Sequence, residues 1–356
     1  MKFYRNLNEV VSALNLTEKN PAAAEQLLSM QPVLNQYPLL INNYLLNLIK
    51  PELGSKDPIW QQFLPAGAEL ADESSEFDPL AEQKQMIAPR TIRRFRDRVV
   101  IVCTAKCAAY CRFCFRKRFW KHDAHLEDLS DIELDEIVDT LTEHPEISEI
   151  LLSGGDIMLL GEQRRLEIIQ RLHGIKSIQL IRLASRVPVT APELISDNFI
   201  EKLSHFDKVW LVTHFNHPVE ATDSAMNCCK KFVRHGIPVL NQSVLLKGIN
   251  DSPETLEKLF RTLTANKIKP HYLFHVDPVR GVRHFATGIE CGLDILRSFR
   301  SRLSSIAVPT FAIDLPEGGG KVALQPEYRQ NGKYPDIHNT KLITYQETLP
   351  PPKWLS

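Results

Sequence analysis

The stretch "RVVIVCTAKCAAYCRFCFRKRF" (residues 98–119) joins two patterns, and their junction decides the architecture. Residues 98–104 form an apolar, β-branched run of strand length. Directly behind it stand Cys107, Cys111 and Cys114, followed by a run of cations. A buried strand that delivers chemically capable side chains at its C-terminal end is what a parallel α/β barrel requires, because its sites are built from the strand-to-helix loops.

The rest of the chain repeats this rhythm. "SEILLSGG" (148–155), "IQLIRLASR" (178–186), "VWLVTHF" (209–215), "PVLNQSVLL" (238–246) and "KPHYLFHV" (269–276) read as further strands. Between them, "DIELDEIVDTLTEH" (131–144), "ATDSAMNCCKKFVRHG" (221–236) and "SPETLEKLFRTLTANK" (252–267) carry helical spacing. Strand–helix units of about 30 residues predict an α/β fold, an incomplete parallel barrel of (β/α)6 type. Residues 1–90 read as a helical N-terminal extension, 91–300 as the barrel core and 301–356 as a C-terminal segment. Within the extension, "YPLLINNYLLNLI" (37–49) predicts a buried amphipathic helix, too short to span a bilayer. The tail "ETLPPPKWLS" (347–356) reads as a loose terminus.

Composition narrows the partners. Lys+Arg and Asp+Glu both number 43, so no global charge points to nucleic acid or to an anionic membrane. The opening residues lack a secretory pattern and the chain has seven Cys, so a reducing, cytoplasmic location is expected rather than a disulfide framework.

Polar residues gather where the strands end: Gly154, Gly155 and Asp156, then Ser185 and Arg186, His214, Gln242, and His275 to Asp277. The Cys triad occupies the first such position. Structural zinc takes four ligands, usually as two close pairs, and no second pair follows at that spacing. Iron–sulfur cubanes take Cys thiolates, normally four. Three would leave one iron open to a ligand that is not protein, which suits catalysis. A non-catalytic iron–sulfur protein and a zinc-binding regulator are the competing readings.

With Phe113 before its last Cys, the triad resembles the signature of the radical S-adenosylmethionine (SAM) enzymes. That resemblance implies a [4Fe-4S] cluster held by Cys107, Cys111 and Cys114, with SAM on the open iron. Gly154, Gly155 and Asp156 would then lie beside the SAM amino group. Further along, "THFNHP" (213–218), "NQSVLLKGIND" (241–251), "HVDPVRGVRHF" (275–285) and "PTFAIDLPEGGGK" (309–321) together resemble the lysine 2,3-aminomutase family over roughly residues 75–345. The resemblance implies that Lys321 carries pyridoxal 5′-phosphate as a Schiff base. Arg94, Arg98 and Gln242 would meet the phosphate, with Phe95 near the ring where relatives carry Tyr. His214 is a candidate contact to cofactor or substrate.

The substrate follows the same line. Arg116 suits a carboxylate, which a guanidinium can hold by two parallel bonds. Asp277 and Asp314 would together receive the ammonium of L-lysine or a similar cationic amino acid, giving β-lysine. Arginine, ornithine or glutamate is the alternative substrate, and retaining both Asp argues against glutamate. An electron donor such as flavodoxin or ferredoxin is implied, and homo-oligomer formation is left open. Zinc is not expected, because Ser252 stands where longer relatives place a Cys and no Cys follows Cys291. "CRFCFRKRF" looks like the branch that makes β-lysine for elongation factor P, whereas the Asp pair and "THFNHP" look like the stand-alone branch.

Overall fold

The computed structural model describes residues 1–72, 76–120, 127–337 and 340–344, and among these ten strands align in one sheet in sequence order. They are β1 (Met86–Ala88), β2 (Thr91–Ile92), β3 (Arg98–Thr104), β4 (Glu149–Gly154), β5 (Leu180–Ala184), β6 (Val209–Thr213), β7 (Val239–Leu245), β8 (Ile268–His275), β9 (Thr310–Leu315) and β10 (Gly320–Leu324). From β3 to β9 every neighbouring pair is parallel. The pairs β1–β2, β2–β3 and β9–β10 are antiparallel. The two ends of the sheet, β1 and β10, do not pair with each other, so the barrel is incomplete.

All six expected strands are present. A seventh parallel strand, β9, extends the barrel, and its hairpin partner β10 brings Lys321 back into the sheet. The handover from helices to sheet comes at Met86.

Six helices cover the outside: α1 (Asp131–Glu143), α2 (Glu162–His173), α3 (Asp197–Leu203), α4 (Asp223–Arg234), α5 (Pro253–Ala265) and α6 (Ile289–Phe299). Side-chain oxygens start several of them. Ser130 and Glu133 form a reciprocal capping box on α1, Thr222 caps α4 and Ser252 caps α5. Ser252 thus serves the helix start.

Alternation along the strands places the core. Ile150 and Leu152, Ile181 and Leu183, and Val209 and Leu211 are fully or almost fully buried and pack outward against the helices. Their strand neighbours Leu151, Arg182, Trp210 and Gln242 point the other way and stay only half-buried. The inward face of the sheet is therefore less tightly covered than its outward face.

The N-terminal residues build a second apolar cluster, including Leu7, Val10, Leu27, Ile59 and Phe63, which also takes in Ala109 from the loop after β3. Here one expectation fails. Residues 37–49 are largely buried, but only Asn43–Leu46 is helical, preceded by a short strand, Ile41–Asn42. Asn42 is the physical reason. Its side-chain oxygen caps Leu45 N at 3.0 Å, and its amide donates to the carbonyls of Ala108 (3.2 Å) and Thr190 (2.9 Å). An Asn spent on distant carbonyls starts a helix and cannot sit inside one. The tail 347–356 lies outside the described residues, as do residues 73–75 of the loop 71–80. No helix among the described residues is long and apolar enough to cross a membrane.

Candidate active site

Cys107, Cys111 and Cys114 are free, partly exposed thiols on the loop that leaves β3. Cys103, four residues before the triad, is different: it lies in the outer apolar layer, and burial pushes its thiol up to about 12. Among the described residues no three His, Cys, Asp or Glu side chains converge on a single-ion position. The donor set, three thiols on one loop, matches a cluster with an open corner.

Residues far away in sequence hold this loop in place. Tyr110 N donates to Leu40 O (2.8 Å) and Arg112 N to Gln62 O (2.7 Å). The Arg112 side chain, fully buried, pairs with Glu69 at 3.0 and 2.6 Å and reaches the carbonyls of Tyr37 and Pro38. Lys117 Nζ shares Glu69 at 2.8 Å and donates to Gly281 O. Burial alone would push the Glu69 carboxyl up, yet the two cations hold it below its ordinary range. Burial also brings Lys117 down to about 8.

The glycine motif after β4 meets the same loop. A Cβ on Gly154, where φ is +129°, would lie 2.2 Å from Thr104 O, and one on Gly155 would lie 2.2 Å from Lys106 O. Both residues must be bare for β4 to pack against the start of the cluster loop. Gly155 N and Asp156 N donate to Thr104 O and Lys106 O at 2.6 and 2.7 Å. Gly155→Ala is expected to cost about 1–3 kcal/mol and to lower the iron and sulfide retained after anaerobic reconstitution. Gly161→Ala, with nothing within 4 Å, should retain wild-type iron; equal loss in both would remove the packing explanation.

Asp156 is engaged within the protein. The sequence reading put it beside a ligand ammonium, but its oxygens accept from Met158 N (3.0 Å), Ser185 Oγ (2.7 Å), Arg186 N (2.7 Å) and Val187 N (3.2 Å). With four protein donors its acceptor capacity is used. It ties β4 to the loop after β5, and burial raises it to about 6.

That tie aims Arg186, which sequence reading left without a role. Its Nη1 donates to Cys111 Sγ (2.7 Å), Nη2 to Gln62 Oε1 (2.6 Å) and Glu220 Oε1 (2.7 Å), and Nε to His214 O (3.2 Å). His214 Nε2 pairs with Asn216 Oδ1 at 3.0 Å, and the imidazole lies against Phe113. Burial, reinforced by Arg186, drives His214 well below the ordinary histidine range. It is a neutral side chain beside the cluster loop.

A second group forms where β8, β9 and β10 meet. The β9–β10 register sets Asp314 opposite Lys321, with Oδ2 and Nζ 3.4 Å apart, while Arg94 Nη1 holds Asp314 Oδ1 at 3.1 Å. Lys321 Nζ lies 3.9 Å from the Phe274 ring centre and 4.7 Å from that of Tyr272. Burial lowers the Lys321 amine below its usual range, despite Asp314 and Asp277. Asp277 is pushed up to about 7, first by burial and then by Asp314, against the pull of Lys321 and Arg94. Asp277 and Asp314 thus stand together, but the cations beside Asp314 are the protein's own. Arg94 Nε is buried without a hydrogen-bond partner. Arg98 sits at the start of β3, paired with Asp97 (3.3 Å) and stacked on Phe95. Phe95 in turn lies 3.7 Å from where a Gly320 Cβ would be. Gln242 is half-buried on β7, in register with Tyr272.

Arg116 also has a partner that sequence reading missed. Instead of an open cation, it is 5% exposed and paired with Glu82 through Nε (3.1 and 3.2 Å) and Nη2 (2.6 Å). Glu82 also acts electrostatically on Asp277, as do Asp314, Lys321 and Arg94.

Comparison with known proteins gives the family. The Radical SAM superfamily matches residues 101–262, and the lysine-2,3-aminomutase family matches residues 296–332. An Aquifex aeolicus relative, whose name assigns it provisionally to L-lysine 2,3-aminomutase, is 42% identical over 83% of this chain and 80% of its own. The L-lysine 2,3-aminomutase of Methanococcus maripaludis is 36% identical, covering 84% of this chain and 69% of its own. The glutamate 2,3-aminomutase of Clostridioides difficile is 37% identical, covering 82% and 69%. The superfamily carries a [4Fe-4S] cluster and SAM, which the three thiols fit. This chain belongs to the lysine 2,3-aminomutase family and is a radical SAM aminomutase, an isomerase.

Proposed function

We propose that this enzyme is a pyridoxal-phosphate-dependent L-lysine 2,3-aminomutase, moving the amino group from C2 to C3 to give β-lysine. Similarity alone does not choose the substrate, because lysine-named and glutamate-named relatives are comparably close. The observation that carries the choice is the Asp277–Asp314 pair, two carboxylates brought together at the mouth of the barrel. A cationic side chain relieves their mutual repulsion, whereas a second carboxylate would add to it.

The cofactors supply a 5′-deoxyadenosyl radical and a conjugated ring that spreads unpaired spin; the protein places and shields them. Cys107, Cys111 and Cys114 would hold the cluster, and Gly154, Gly155, Asp156 and Arg186 would shape its loop. His214 would stand beside SAM as a neutral donor or acceptor. Lys321 would hold pyridoxal phosphate covalently, since a lysine of lowered pKa offers its free amine more readily. The partnerless Nε of Arg94 gives a buried donor for the phosphate, with Arg98 and Gln242 as further candidates. Phe274 and Tyr272 would wall the ring. A flavodoxin or ferredoxin would supply the electron. "CRFCFRKRF" resembles the elongation factor P branch and the Asp pair with "THFNHP" the stand-alone branch, so modification of that factor is one of two destinations for β-lysine.

The test is anaerobic incubation of the reconstituted enzyme with SAM, reductant and 15N-labelled L-lysine. The label should appear on C3. Turnover of ornithine, arginine or glutamate with lysine untouched would replace this reading.

A further inference from the structure

We propose that Glu82 is a positioning residue for substrate: it holds one edge of Arg116 and so reserves the other for the carboxylate of the bound amino acid. The inference rests on Arg116 being the substrate-carboxylate group of the proposed function.

A guanidinium has five N–H bonds. Glu82 takes the Nε edge and one bond of Nη2, and Ser153 Oγ at the end of β4 takes one of Nη1 (3.0 Å). One N–H on each terminal nitrogen is left, the pair that a carboxylate engages in parallel. Of these, the Nη1 bond reaches only Gly154 O, at a long 3.5 Å. Phe115 and Phe119 pack on the guanidinium, with centres 4.6 and 5.8 Å away. Held in this way, Arg116 keeps one orientation, whereas a free arginine would have to give up rotamer freedom each time substrate bound.

Glu82 is itself fixed. It is 3% exposed and also accepts from Arg118 Nη2 (2.5 Å). Burial opposes its ionisation, but Arg116 and Arg118 outweigh this and hold it down to about 2. The charged groups around it are Arg116, Arg118, Asp78 and Asp277. It stays an anion throughout the working pH range, as a permanent positioner must.

The segment carrying Glu82 also touches the loops that follow Asp277 and Asp314. Glu76 bridges Val279, two residues beyond Asp277, and its carbonyl accepts from Arg280 N. Pro79 O accepts from Glu317 N (3.0 Å), and the Gln85 side chain lies against Gly318 with no room for a Cβ. Ala81 sits at φ +51°, a strained conformation held by these contacts. One strap thus sets Arg116 relative to both Asp277 and the turn that precedes Lys321.

The experiment compares L-lysine with 1,5-diaminopentane, which has both amines and no carboxylate. Each is titrated by calorimetry into enzyme carrying cluster and pyridoxal phosphate, without SAM. Wild type should prefer lysine by about 100-fold. Glu82→Gln should narrow that preference about 10-fold with the diamine affinity unchanged, and Glu82→Asp, which restores the charge one methylene short, should fall between. Equal weakening of both ligands, or an unchanged preference, would overturn the positioning role. A wild type with no preference would instead remove the Arg116 assignment, and this inference with it. If Glu82→Gln does not retain iron, Glu82→Asp decides, and an unaltered preference there counts against Glu82.

Discussion

Lys321→Met enzyme should lose β-lysine formation by at least about 10³-fold while keeping wild-type iron and sulfide. The reasoning starts from the β9–β10 hairpin. Its register puts Lys321 opposite Asp314, so the amine sits 3.4 Å from a carboxylate that Arg94 also holds. Burial lowers the amine's pKa, and the two Asp limit how far it falls. This poises the lysine between ion-pair partner and nucleophile, as a reversible covalent attachment requires. Methionine keeps an unbranched chain of nearly the same length but has no amine to form that bond. Borohydride treatment of wild type should fix pyridoxal phosphate to the peptide containing Lys321, and the variant should yield no such adduct. An adduct on another lysine would move the attachment site and undo the assignment. The iron content serves as the control, because Lys321 belongs to the hairpin at the far end of the sheet from β3, which carries the cysteines.

What the sequence reveals and what it hides follow from range. Strands β3 to β8 are legible because their outward residues, such as Ile150 and Leu152, must be apolar to meet the helices, which imposes a period of two. The Cys triad is legible because its ligands lie within one loop. The acceptors that position the site are not. Glu69 reaches Arg112 across 43 residues, Glu82 reaches Arg116 across 34, and Gln62 reaches Arg186 across 124. A single Glu in a polar loop looks like any solvated carboxylate until the fold closes around it. The cations of "RKRF" carry the same ambiguity: a basic run suggests solvent, yet Arg116, Lys117 and Arg118 are 5%, 2% and 7% exposed. One signal was available. Three adjacent cations cannot all be buried without carboxylates brought from elsewhere, so their burial would have called for partners such as Glu69 and Glu82. Asp156 shows the opposite difficulty. Its place at a strand end is correct, but its use by four protein donors depends on Ser185 and Arg186 arriving from β5.

Asp277→Asn should move stability and recognition in opposite directions. In the ligand-free protein, burial and then Asp314 raise the Asp277 carboxyl to about 7 from an ordinary 3.8. The folded state therefore binds this proton more tightly than the unfolded chain does between those values. Stability falls with pH wherever the folded state holds more protons. The contribution of Asp277 is thus most favourable below about 3.8 and is lost as pH rises through about 7. Asparagine has no charge to bury, so the variant should match wild type below about pH 4, draw ahead through pH 5–7, and exceed it at pH 8 by roughly 2 kcal/mol, a few degrees in Tm. Recognition should suffer over the same range, since one of the two carboxylates that would flank the lysine ammonium is gone. Against L-norleucine, which has the same side-chain length without the amine, the preference for lysine should fall about 10²-fold, in line with removing one partner of a buried ion pair. Thermal melts at pH 5 and pH 8 test the first half, and competition between the two amino acids tests the second. A Tm difference that does not grow with pH would mean that Asp277 is already neutralised by Lys321 and Arg94. Undiminished preference for lysine would move the ammonium site away from this pair of strand ends.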